Sequence, residues 1–172
     1  MKTIRQSVFE TNSSSCHTIT FSESYPEDQK NIKLHINGWG DFGWGSDDGS
    51  DRVTTPEGKM NYALIAYSMI CSGEDECKEV LSEVKRVFAL HGVEVDFGED
   101  DEGNPTAIWF EVDDWNKEAG PTAHTDGYID HQSGPAERHD CERLAKMFRD
   151  DPDELYGFVF GDAYIIIDND NH

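Results

Sequence analysis

Apolar and polar positions alternate in several short runs near the start of the chain. From Thr3 to Phe9, Ile4, Gln6 and Val8 fall on one side and Arg5, Ser7 and Phe9 on the other. From His17 to Phe21, Ile19 sits between Thr18 and Thr20, residues that suit a pleated surface. Both runs read as strands, and the Asn-Ser-Ser-Ser link between them reads as a hairpin turn. "NIKLHIN" (31–37) is a third strand, with Ile32, Leu34 and Ile36 on one face and Lys33 and His35 opposite. The period is then lost: 37–51 holds five glycines, two tryptophans and four aspartates and reads as a long loop.

Helical spacing begins after Thr54 and Thr55. A hydroxyl N-cap, Pro56 in the first turn and Glu57 at the positive end mark the start. Met60, Ala63, Leu64, Tyr67, Ile70 and Cys71 form the stripe, and Gly73 is placed to end it. A second helix over 74–91 repeats Val80, Val84, Val87, Phe88 and His91, turns Glu79, Glu83, Lys85 and Arg86 outward, and stops at Gly92. "VEVDF" and "AIWFEV" read as a hairpin around the acidic turn "GEDDEGNPT". The stretch 113–134 is polar and irregular. Ser133, Pro135 and Glu137 open a helix to Phe148 with Cys141, Leu144, Ala145 and Phe148 inward, and Asp151 with Pro152 opens another. "AYIIID" (163–168) is apolar on both faces, as a strand in the middle of a sheet is.

The order β-β-β-α-α-β-β-α-α-β predicts an α+β fold, a mainly antiparallel sheet of about five to six strands packed with three to four helices. The 172 residues fit one domain, 1–172.

Charge changes this picture most. The formal net charge is −22, which disfavours direct binding to nucleic acid or to an anionic membrane. It favours basic partners, metal ions or the nucleic-acid-binding grooves of other proteins. No Lys or Arg lies between Arg86 and Lys117, while Glu94, Asp96, Glu99, Asp100, Asp101, Glu102, Glu111, Asp113 and Asp114 do. None follows Arg149 either, where Asp150, Asp151 and Asp153 begin a second acidic segment. A solvated surface accounts for such runs; so does a surface that imitates the charge of nucleic acid. The four cysteines form no CxxC and follow no apolar leader, so reduced thiols in a cytoplasmic setting are expected.

Candidate chemistry is sparse. Cys16 and His17 are neighbours, so on a strand they point to opposite faces and cannot act as a pair. Ser15 and His17 share a face, but Asn12 and the serines also serve as ordinary Asx and Ser turn residues. His124, Asp126, Asp130, His131, His139, Asp140 and Cys141 are zinc-ligand types at no finger spacing, and Cys141 already fits an apolar stripe. Arg138, Arg143, Lys146 and Arg149 crowd four of the fourteen basic residues together, as ion-pair partners for the acids.

The opening "VFETNSSSCHTITF" resembles that of uncharacterised proteins of bacteriophages and Gram-positive bacteria whose N-termini read roughly FETNSSSxH, and "FVFGDAYIIIDNDN" is similar to their ends. The resemblance implies a phage or mobile-element setting and says nothing about catalytic residues. If the final strand pairs with the first hairpin, Glu10, Asn12, Ser13, Ser15, His17, Asp168 and Asp170 gather into one polar site. Two functions follow. The first is an acidic phage-type protein, without a cofactor, that binds and inhibits or modulates a basic, nucleic-acid-handling host protein in the host cytoplasm by mimicking nucleic-acid charge. The alternative is a metal-dependent hydrolase or nucleotide-directed enzyme, with a divalent metal on Asp168 and Asp170 and Glu10 or His17 as general base.

Overall fold

The computed structural model describes residues 15–21, 24–42, 51–112, 120–129 and 135–169. The expected strand over Thr3–Phe9, the Asn-Ser-Ser-Ser turn and most of the glycine-rich loop lie outside them. Among the described residues the fold is α+β, as expected, with four helices. Its strands do not make one sheet of five or six. They are spread over one three-stranded and three two-stranded sheets, with antiparallel ladders in the majority.

Helix α1 (Pro56–Ser68) starts as its sequence dictates. Thr55 is the N-cap, its hydroxyl accepting from the Gly58 N–H at 3.2 Å, and Pro56 occupies the first turn. It carries no polar face at its centre, however: every residue from Lys59 to Tyr67 is buried. A single apolar stripe was the expectation, and the difference arises because α3 (Pro135–Asp150), α4 (Pro152–Phe160) and several strands surround α1. Two polar residues are accommodated there by specific bonds. Asn61 Oδ1 accepts from the Gly38 N–H at 3.0 Å. Lys59 Nζ donates to the carbonyls of Gly161 and Ala163 at 3.0 and 3.1 Å, just past the end of α4. Burial lowers the Lys59 pKa to about 8, with Asp162 opposing the drop.

The central sheet orders β1 (Ser15–Ile19), β9 (Ile165–Asn169) and β4 (Asp51–Val53), both ladders antiparallel. Strand β9 is thus flanked on both edges, as its two-sided apolar character predicts. Ile165 and Ile167 are buried in the core, and so are His17 and Ile19 of β1.

Strand β2 (Ile32–His35) pairs in parallel with β5 (Val93–Asp96), and β3 (Asp41–Phe42) in parallel with β8 (Tyr128–Ile129). Strand β6 (Trp109–Val112) pairs antiparallel with β7 (Pro121–His124). The expected hairpin of "VEVDF" with "AIWFEV" forms only at its mouth, where Ala107 N bonds Phe97 O and Thr106 N bonds Gly98 O. Beyond it the partners differ: β5 pairs with β2, and β6 with β7. Strands β7 and β8 fall in the stretch expected to be irregular; each is too short, with one buried residue apiece, to show a period.

Gly38 holds the junction of β2 and β3. Its φ is +67°, and a Cβ there would run into the Ala107 carbonyl, so glycine is required. Its own carbonyl accepts from the Gly127 N–H at 2.6 Å, which ties β3 to β8.

Helix α2 (Glu74–Leu90) buries Cys77, Val80, Leu81, Val84, Val87 and Phe88, the face its spacing predicts, and packs on β5 and α4. Helix α4 is capped by Asp151, whose carboxylate accepts from the Glu154 N–H at 3.0 Å.

Candidate functional site

The acids of the 94–102 segment do not scatter. Glu94 and Asp96 stand on β5 and share Lys33 from the neighbouring strand, at 2.8 and 3.4 Å. One residue past the mouth of the turn, Glu99 takes Lys85 of α2 at 3.3 Å. Lys33, Lys85, Glu94, Asp96 and Glu99 border a single open depression of about 740 Å³. Asp100 then lies within reach of Lys78, which Glu74 also holds at 2.8 Å and which Asp75 faces. Glu76, next on α2, accepts from the Ser72 N–H and hydroxyl, and with Asp150 it influences Arg149.

Ion pairs join β5 to β2 and the turn to α2, and the charges of Asp100 on Lys78 and of Glu76 on Arg149 are felt across the gaps between segments. Asp101 and Glu102 are exposed in the same turn. Five carboxylates, Glu74, Glu94, Asp96, Glu99 and Asp150, pair with Lys33, Lys78, Lys85 and Arg149, while Asp75, Glu76, Asp100, Asp101 and Glu102 add charge without pairing to these cations.

Local bonds keep Asp96, Asp100 and Asp150 ionised. Asp100 folds its turn around itself, accepting from the backbone of Asn104 and Glu102 at 2.8 and 2.9 Å, and those donors hold its pKa below the usual carboxylate value. The Gly98 N–H and then Lys33 do the same for Asp96, and Arg149 does so for Asp150. Each of these pairs is solvent-exposed and adds little stability. Their consequence is a charge that persists to low pH.

Other predicted partner-binding residues go elsewhere. Glu111 is exposed on β6, in a different sheet. Asp151 is occupied as the α4 cap. Asp153 accepts from His91 Nε2 at 2.9 Å and from the Tyr25 hydroxyl at 3.1 Å, while His91 Nδ1 bonds Asp28 at 2.8 Å and its ring stacks on Tyr156. Burial works against a charged His91, yet the bonds to Asp28 and Asp153 prevail and raise its pKa. Asp113 and Asp114 lie outside the described residues.

Of the predicted polar site, the backbone condition is met: Ser15 lies opposite Asn169, Cys16 opposite Asp168 and His17 opposite Ile167. The His17 imidazole is turned into the core at 2% exposure, where Nδ1 bonds the Tyr62 hydroxyl at 2.9 Å. That hydroxyl in turn lies 3.4 Å from Cys141 Sγ. Glu10, Asn12, Ser13 and Asp170 lie outside the described residues. Among the described residues, no three His, Cys, Asp or Glu side chains are arranged to hold a metal ion. His124 instead stacks on Trp109, with ring centres 6.2 Å apart.

Sequence reasoning missed Glu74, Asp75 and Glu76, because acids in a first helical turn are sufficiently explained by the helix dipole. The signal was the "GEDE" run itself. Searches for related proteins return nothing: no family model, curated protein or solved structure matches the chain. Among the described residues, no helix is long and apolar enough to cross a membrane.

Proposed function

We propose that this is a non-enzymatic acidic interaction protein, of the phage type its opening residues resemble, that binds and inhibits or modulates a nucleic-acid-handling host protein. It acts in the host cytoplasm, and its carboxylates stand where nucleic acid would present phosphates. The observation that carries the reading is the excess of carboxylates over cations on β5, its acidic turn and the start of α2, on a chain of net charge −22. A basic cleft that binds phosphates would accept such a surface, and long-range attraction would speed the encounter.

The test is capture from Gram-positive host lysate on the immobilised protein. Screening shortens the reach of charge from about 10 Å at 0.1 M salt to about 3 Å at 1 M. A nucleic-acid enzyme should therefore be retained at low salt, released at high salt and displaced by added DNA. The variant Asp75→Asn/Asp100→Asn/Asp101→Asn/Glu102→Gln should retain much less. Capture that ignores salt, or that survives in this variant, overturns the proposal.

The enzymatic alternative keeps one supporting observation, the β1–β9 pairing that brings Cys16 beside Asp168. With His17 Nδ1 engaged by Tyr62, its general base would be Glu10. Nucleotide hydrolysis that requires Mg²⁺ or Mn²⁺ and is lost in Asp168→Asn would favour it; no turnover with either ion removes it.

A further inference from the structure

The turn from α1 into α2 carries the sequence "CSGEDEC", with Cys71 before the Gly73 N-cap and Cys77 in the first turns of α2. The backbone brings both to one spot. Cys71 N bonds Tyr67 O at 3.0 Å, Cys77 N bonds Gly73 O at 3.0 Å, and Cys71 Sγ lies 3.5 Å from that same carbonyl. The Cys71 sulfur and the Cys77 N–H thus meet at the one Gly73 carbonyl, and each thiol shifts the titration of the other. Their exposures differ: Cys77 is fully buried and Cys71 is partly open to solvent.

A second feature points at the same place. The Tyr67 hydroxyl is fully buried with no well-formed hydrogen bond of its own, and its polar neighbour is the Cys71 sulfur. Burying a phenol without a partner is costly, and a negative charge on Cys71 would give it one.

We propose that Cys71 and Cys77 form a redox-active dithiol that exchanges with low-molecular-weight disulfides, Cys71 attacking and Cys77 resolving. The Cys71 thiolate attacks one sulfur of the small disulfide, and that disulfide's other half leaves as a thiolate. Cys77 then loses its proton to water and attacks Cys71 Sγ. The second half of the small disulfide leaves, and the Cys71–Cys77 disulfide remains. In sum, two protein thiols are oxidised and one small disulfide is reduced to two thiols.

The asymmetry of the pair suits these roles. The neighbouring Cys77 thiol, and after it Tyr67, favour a charged Cys71 and lower its pKa against the opposing effects of burial and Glu76, and the same interaction raises that of Cys77.

The experiment treats the reduced full chain with oxidised glutathione and maps tryptic peptides by mass. Both cysteines lie in the peptide from Met60 to Lys78, which contains no internal Lys or Arg. Wild type should lose two hydrogens in that peptide, and Cys77→Ala should accumulate one glutathione on Cys71. Tyr67→Phe should slow the exchange. Circular dichroism and urea midpoints check that each variant is folded, and pulse alkylation of the native wild type ranks Cys71 against Cys141 independently of any variant. A glutathione that persists on wild-type Cys71, an adduct placed on Cys141 first, or reaction only in urea overturns the proposal.

Discussion

Lys59 provides a test with an unusual sign. Its ammonium is buried at 1% exposure between the Gly161 and Ala163 carbonyls, and its pKa is about 8 in the fold against the ordinary 10.5. Between those values the unfolded chain binds the extra proton, so stability contributed by Lys59 must rise with pH. The full gap corresponds to about 3.4 kcal/mol, of which about 2 kcal/mol is recovered on going from about pH 7 to about pH 9.5. The neutral amine still has two hydrogens for the two carbonyls, so nothing is lost in exchange. Lys59→Met removes this term. At about pH 7 it trades two charge-assisted bonds, about 1.5–3 kcal/mol each, for relief from burying a cation, and should lie within about 2 kcal/mol of wild type. At about pH 9.5 the variant should fall a further 2 kcal/mol or so behind. Urea unfolding of both proteins across this range is the assay. The raised pKa values of Tyr25, Tyr67 and Tyr156 cost both proteins stability above the ordinary tyrosine value, and cancel in the difference. A stability difference, wild type minus variant, that stays flat or falls as pH rises would refute the buried-cation account.

Three further outcomes follow from particular contacts. His91→Phe keeps the stack on Tyr156 and removes both carboxylate bonds. Because the His91 pKa is raised, that stabilisation is complete below the ordinary histidine value and is lost as pH rises through the folded one, so unfolding experiments should show a defect of about 1 kcal/mol near pH 5.5 that shrinks by about pH 8.5. Gly92 has a φ of +76° and no room for a Cβ beside the Gln29 carbonyl; Gly92→Ala should cost about 2–4 kcal/mol by thermal or urea denaturation. Tyr62→Phe deprives the buried His17 imidazole of its Nδ1 partner and should cost about 1–2 kcal/mol in the same assay.

The elements were legible wherever local chemistry decides them. Thr55 with Pro56, Asp151 with Pro152, and the spacing of Val80, Val84 and Phe88 each act within one or two helical turns, and the helices start and face accordingly. Pairing was not legible, because it is settled between residues far apart. Val93 and Val95 alternate as a strand should, but nothing in "VEVDF" says that its edge goes to Leu34 and not to Phe110. The full burial of α1 was hidden for the same reason, since Lys59 and Asn61 look like a solvent face until Ala163 and Gly38 supply their partners. The acidic turn was visible as composition. Its continuation into Glu74–Glu76 became visible only through Lys78, which links two segments distant in the chain.

The order of strands in the central sheet also sets a schedule for folding during synthesis. The strand that lies between β1 and β4 is made after both of them and after all four helices. Until residues 165–169 leave the ribosome, the two outer strands have no ladder to join, and His17 and Ile19 have no Ile167 or Ile165 beside them. The helices can form early, through local contacts, and wait around an open seam. Chains halted before β9 should consequently be protease-sensitive at β1 and β4, and the seam closes only once this strand has been made.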